Sequence, residues 1–255
     1  MMDRKAFFKA IRPGLFRRLS QKQVDGLNSI LDSGGHLPLA YLAKVLATAH
    51  GETGGKMQPV WENMNYSAAR IPQVFSAARR QGKTAAQLAR SPELLANTIY
   101  GGEWGAKYLG NTEPGDGWRY RGGGLAQTTG RRNYTKISKI SGIDLVKNPE
   151  RIMEPDISAI ALIVAMEEGI YTGKSLSDYL PSKSAGTRQD FKRARNIING
   201  QFEADKYAGY AIAYQAALVA AGYEPMPPKA APPGPAKSPW AGIIATILKL
   251  FGGRS

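Results

Sequence analysis

Apolar residues recur at helical spacing through most of the first 223 residues, and clean strand alternation is scarce. That pattern confines the chain to a mainly helical fold. Ser20, with Gln23 three residues later, has the signature of a capping box. The helix it opens aligns Val24, Leu27, Ile30 and Leu31 and stops at Gly34 and Gly35. A second helix starts near Pro38, presents Leu42, Val45, Leu46 and Ala49, and ends at Gly54 and Gly55. Glu52 therefore falls in its last turn. Further helices are predicted over residues 155–168, 188–198 and 203–221. Residues 100–134 are rich in glycine and aromatics, which predicts long loops with a short hairpin.

A chain of 255 residues can bury one substantial core, with an appended segment. Its 43% hydrophobic and 21% charged content is that of an ordinary globular protein. The formal net charge of +14 points to a polyanionic partner: nucleic acid, an acidic membrane surface or an acidic cell-wall polymer. Lys and Arg are dispersed and no nucleic-acid motif is present, so no nucleic-acid partner is expected. The chain has no cysteine, hence no disulfide framework and no thiolate metal site. Two histidines, His36 and His50, supply a His-based metal centre or a Ser-His-Asp triad poorly. The longest apolar run of the body, residues 157–166, is too short to span a bilayer. The basic N-terminus has no apolar h-region, so synthesis in the cytoplasm without a secretory signal is expected.

Composition changes after Tyr223. Residues 224–239 hold seven prolines and read as a semi-rigid linker. Beyond it, Trp240, Ile243, Ile244, Ile247, Leu248 and Phe251 form one apolar helical stripe in residues 240–255. Twelve helical residues rise only about 18 Å, short of the roughly 30 Å of a bilayer core. The stripe suits contact with an anionic membrane surface rather than a span.

Glu52 in HGETGG and Glu62 in WENMNYSA lie ten positions apart. Two carboxylates across a cleft are the minimum equipment for hydrolysing a glycosidic bond. The last turn of a helix faces Glu52 with the negative end of the macrodipole, which favours its protonated form. Such a group is a candidate general acid. Asn63 and Asn65 give Glu62 a polar setting, which suits a base that activates water.

These two motifs, followed by GDGWRYRGGGLAQTTGRRNY at residues 115–134 and ARNIING at 194–200, resemble family 19 glycoside hydrolases. The likeness is to the branch of bacteriophage endolysins and related cell-wall hydrolases, and extends over roughly residues 5–223. It implies a lysozyme-like α+β fold, mainly α, with helices around a substrate cleft and long irregular loops. Residues 1–223 would be the catalytic domain. The resemblance implies that Glu52 is the general acid and Glu62 the base. It assigns Gln127 and Thr129 to the loop that holds the catalytic water and a sugar group, and Asn133 and Asn199 to substrate contact. The residue types of Trp118 and Tyr120 suit stacking on sugar faces, with core packing as the alternative. No metal or cofactor is implied, and a monomer is expected.

The sequence departs from the family pattern in three places. A histidine usually stands directly before the acid; here Gly51 intervenes, and His50 is read as a packing residue. Gly123 stands where an arginine is common, and Ala126 where a bulkier apolar residue is common. The expected activity is inverting hydrolysis of β-1,4 bonds in peptidoglycan, whose stem peptides carry carboxylates, after holin-assisted release to the wall. Chitin hydrolysis and non-catalytic wall binding are the alternatives.

Overall fold

The structure, a computed structural model, describes residues 2–226. Helices α1 (Arg4–Leu15), α2 (Gln21–Ser33) and α3 (Leu39–Glu52) open the chain. Five short helices follow: α4 (Ile71–Val74), α5 (Ala85–Leu88), α6 (Pro92–Ile99), α7 (Gly102–Leu109) and α8 (Asp116–Arg119). Then come α9 (Arg131–Ser141), α10 (Pro155–Glu167), α11 (Arg188–Arg193) and α12 (Ala204–Ala220). The chain is mainly helical, as its periodicity requires.

Two hydrophobic cores organise these elements. In the larger, α10 buries every residue from Ile157 to Met166, the signature of a helix enclosed on all sides. α2 packs on α10, and α3 packs along α12, with α1 and α11 against the same α12. The smaller core joins Met64, Ile71, Phe75, Leu88, Leu95 and Ile99. It carries α4 to α6, with α8 packed on α6.

The ends of α2 and α3 follow their sequence signals. Ser20 accepts from the Gln23 amide, and Gln23 Oε1 accepts from the Ser20 amide at 2.9 Å. After Glu52 the chain turns through Gly54 at φ 58° and Gly55 at φ 77°, conformations that favour glycine. The Gly55 amide closes the turn onto the His50 carbonyl at 2.7 Å. Gln23 Nε2 donates to the Gly55 carbonyl at 2.8 Å, so the start of α2 braces the turn that follows Glu52.

The long-loop expectation for residues 100–134 is corrected. That stretch contains α7, α8 and the first residues of α9. The expected hairpin reduces to one antiparallel bridge between Gly123 and Thr128. The helices escaped notice because α8 is four residues long and α9 buries only Tyr134, Ile137 and Ser141. Most of the expected linker, and all of the expected C-terminal helix, lie outside the described residues. The start of that linker is docked: the Met226 amide donates to the Gly35 carbonyl at 2.8 Å. Among the described residues no helix is long and apolar enough to cross a membrane.

Candidate active site

Glu52 is the last residue of α3, and its carboxylate meets residues from the C-terminal third of the chain. Arg195 lies 3.0 Å from Oε1, and the Tyr207 hydroxyl donates to the same oxygen at 3.0 Å. Arg195 sits in a 3-10 turn (Ala194–Ile197) and is buried; its guanidinium lies 3.9 Å from the centre of the Tyr207 ring. Lys44, two turns back from Glu52 on α3, is also buried, with Nζ 5.6 Å from the same ring centre. Burial pushes the Lys44 ammonium down to about 7; Arg195 adds to that and Glu52 opposes it. Burial, and then the charge of Glu52, raise the Tyr207 hydroxyl, so it remains a donor at neutral pH.

Glu62 lies after the turn, where its amide donates to the Gly122 carbonyl at 2.7 Å. The Tyr100 hydroxyl, at the end of α6, donates to both carboxylate oxygens at 2.7 and 2.9 Å. Burial, and then the adjacent Glu62, raise that hydroxyl, which fixes it as the donor. The Gly122 amide donates to Oε2 at 3.3 Å. Glu62 is thus held from the smaller core by Tyr100 and from the loop of residues 122–129 by backbone.

That loop carries Gln127, Thr128 and Thr129. Gln127 stands at φ 53°, uncommon for a side-chain-bearing residue. Its Nε2 donates to the Val60 carbonyl at 2.9 Å. Its Oε1 and Glu62 Oε2 both crowd the bare α-carbon of Gly122, where a β-carbon would lie 2.8 and 3.1 Å from them. Gln127 and Glu62 therefore converge over a glycine that leaves them room. On the other side, Thr128 Oγ1 lies 2.8 Å from the Tyr171 hydroxyl. Burial pushes Tyr171 up to about 12, and the charge of Glu52 contributes. Thr129 Oγ1 donates to the Gln127 carbonyl at 2.9 Å, and Asn133 Nδ2 donates to the Thr129 carbonyl at 3.0 Å.

The structure thus sets Glu62 against the loop that carries Gln127 and Thr129, with Asn133 at the start of α9, while Glu52 is held at the end of α3 by Tyr207 and Arg195. Asn199 is exposed in the turn just past Arg195, its amide donating to the Arg195 carbonyl at 3.2 Å. The sugar-stacking expectation for Tyr120 is corrected. Tyr120 is fully buried, packs on Tyr134 and donates to the Val146 carbonyl at 2.9 Å, so it offers no face to a ligand. Trp118 is half-buried, and the Arg121 guanidinium lies 3.6 Å from its ring centre and 4.1 Å from that of Trp61. His50 packs between Phe16 and Tyr210 and meets the Tyr214 hydroxyl at 3.0 Å. Burial pushes its imidazole down to about 4, so it is neutral at neutral pH. Gly123 faces Trp61, whose ring would stand 2.6 Å from a β-carbon there, so the tryptophan fills the space an arginine would need. Sequence reasoning missed Lys44, Tyr100, Arg195 and Tyr207; only Arg195 lay inside a quoted motif. Among the described residues no group of three His, Cys, Asp or Glu side chains is placed to hold a metal ion.

A Haemophilus influenzae protein described as a glycosyl hydrolase family 19 domain-containing protein is 34% identical over 145 residues, 57% of this chain and 68% of that protein. A solved chitinase C variant covers 89% of this chain and 95% of its own, at 14% identity and a TM-score of 0.40. A solved bacterial family 19 chitinase covers 87% and 95%, at 19% identity and a TM-score of 0.41. No family model matches the chain. The similarity to the Haemophilus protein places this chain among the glycoside hydrolases. Within that class it belongs to glycosyl hydrolase family 19, and its substrate is a polysaccharide.

Proposed function

We propose that this glycosidase cleaves β-1,4 bonds of peptidoglycan by an inverting acid–base mechanism. The observation that carries the reading is the matched seating of two carboxylates, each on a tyrosine hydroxyl. Glu52 is held by Tyr207 and Glu62 by Tyr100, each through a hydroxyl that stays protonated. In this reading Glu52 protonates the leaving glycosidic oxygen as the bond to the anomeric carbon breaks. Glu62 takes a proton from the water that attacks the opposite face. Gln127 and Thr129 position that water, and Asn133 and Asn199 contact the sugar. Inversion requires carboxyl groups separated enough to admit a water molecule.

The net charge of +14 supports an anionic wall over uncharged chitin as the target. An endolysin-type role, with release to the wall through a membrane lesion, fits such a target. The test compares purified peptidoglycan with chitin oligomers, using the full chain, Glu52→Gln and Glu62→Gln. Each variant is expected to lose activity by about 10²–10⁴-fold while still binding walls. Release of reducing ends from chitin alone would replace peptidoglycan by chitin. Wall binding without hydrolysis by the unmodified chain would overturn the catalytic assignment.

A further inference from the structure

We propose that Tyr207 is a positioning residue for Glu52, and that Gly51 is a glycine because Tyr207 occupies the space beside it. The inference rests on the reading of Glu52 as the general acid and names what holds that acid in place.

Three contacts converge on the Tyr207 side chain. Its hydroxyl donates to Glu52 Oε1 at 3.0 Å, from a residue in the first turn of α12. Arg195 stacks at 3.9 Å from the ring centre and reaches the same Oε1 at 3.0 Å. The ring also lies directly over Gly51: a β-carbon at position 51 would stand 2.2 Å from Cε1, 2.3 Å from Cζ and 2.6 Å from the hydroxyl oxygen. No residue with a β-carbon fits there unless Tyr207 withdraws.

Gly51 therefore has a role that backbone conformation does not explain. It lies inside α3, and it is not among the residues with positive φ. Glycine inside a helix is destabilising because it gives up the most backbone freedom on folding. The chain carries that weakness at the residue immediately before Glu52, and the structure places the Tyr207 ring in the resulting gap. The ring and the glycine form a matched pair.

The arrangement also distinguishes the two carboxylate oxygens. Tyr207 and Arg195 both engage Oε1. Among the described residues no hydrogen bond engages Oε2, which leaves that atom to carry and deliver the proton. A hydroxyl donor and a buried guanidinium on one oxygen fix the side-chain torsions. Positioning of this kind acts on the chemical step more than on substrate affinity.

A tyrosine that merely fills the core would show a different response. Tyr207→Phe retains the ring, the stacking and the contact with Gly51, and removes only the hydroxyl. Kinetics of the full chain on a soluble β-1,4-linked N-acetylhexosamine oligomer separate the two roles. Tyr207→Phe is expected to lower kcat about 10- to 100-fold with KM within about twofold, and to move the acid–base limbs of the kcat–pH profile. Gly51→Ala is expected to lower kcat similarly by displacing the ring. Tyr207→Ala opens the space, so adding Gly51→Ala to it is expected to change kcat by less than about twofold.

A kcat within about twofold of wild type in Tyr207→Phe, with Glu52→Gln inactive, would overturn the positioning role and leave Glu52 as the acid. An active Glu52→Gln would instead overturn the reading on which the proposal rests. Should Tyr207→Phe fail to fold, Gly51→Ala decides: an unchanged kcat there overturns the proposal. Additive losses in Gly51→Ala and Tyr207→Ala would overturn the pairing of the two positions.

Discussion

Lys44 lies inside the helix-packed core with no hydrogen-bond partner for Nζ among the described residues. Its Nζ lies 5.6 Å from the Tyr207 ring centre, and the charges of Arg195 and Glu52 act on it in opposite directions. An unfolded lysine keeps its proton to about pH 10.5, whereas burial brings Lys44 down to about 7. Between those values the unfolded chain binds more protons than the folded one, so this group makes stability rise with pH. Below about pH 7 its full penalty is present. Lys44→Met keeps the length and removes the charge. It is expected to stabilise the fold by on the order of 1–4 kcal/mol at pH 6. The gain should shrink as pH approaches 10. Thermal unfolding of both proteins at pH 6 and pH 10 checks this, and an equal gain at both values would exclude the charge as its cause.

Among the elements, the loop of residues 122–129 depends on the two helices that bracket it. α8 ends at Arg119 and α9 begins at Arg131, and one bidentate pair ties them. Arg131 donates to buried Asp116 through Nε at 2.7 Å and through a terminal nitrogen at 2.6 Å. Asp116→Asn should cost on the order of 2–3 kcal/mol, at the low side of breaking a buried pair because Arg131 keeps access to water. A lower urea midpoint at unchanged m-value is the expected readout. This clamp was not legible in the sequence, and the reason is general to the site. Local signals placed what is local: the capping box of Ser20 and Gln23, the glycines after α3, and Glu52 in the last turn. Family-like motifs marked Glu62, Gln127, Thr129 and Asn133. Tyr207 lies 155 residues from Glu52 and Tyr100 lies 38 from Glu62, and neither sits in a pattern that reports such contacts. Tyr120 misled because an aromatic in a glycine-rich stretch reads alike whether it lines a cleft or fills a core. The α4 and α5 helices are four residues each, too short for apolar periodicity to declare them.

For the whole molecule, charge and site call for different responses to salt. The excess of 14 positive charges is spread along the chain, so it acts as a field rather than as one contact. The proposed catalytic groups work at close range, with Glu52 and Glu62 held at 2.7–3.0 Å by their tyrosines. Screening at moderate salt removes the first effect and leaves the second, because the Debye length falls from about 10 Å at 0.1 M to about 3 Å at 1 M. Lysis of purified anionic walls is therefore expected to slow by about 10-fold or more between 0.05 and 0.5 M NaCl. Hydrolysis of a neutral chitin oligomer by the same preparation should change by less than about twofold, since no long-range attraction assists it. Turbidity loss and reducing-end release, measured side by side, read the two rates. Equal salt dependence for both substrates would mean that the basic surface does not recruit the wall. The proposed preference for peptidoglycan would then have to come from the cleft alone.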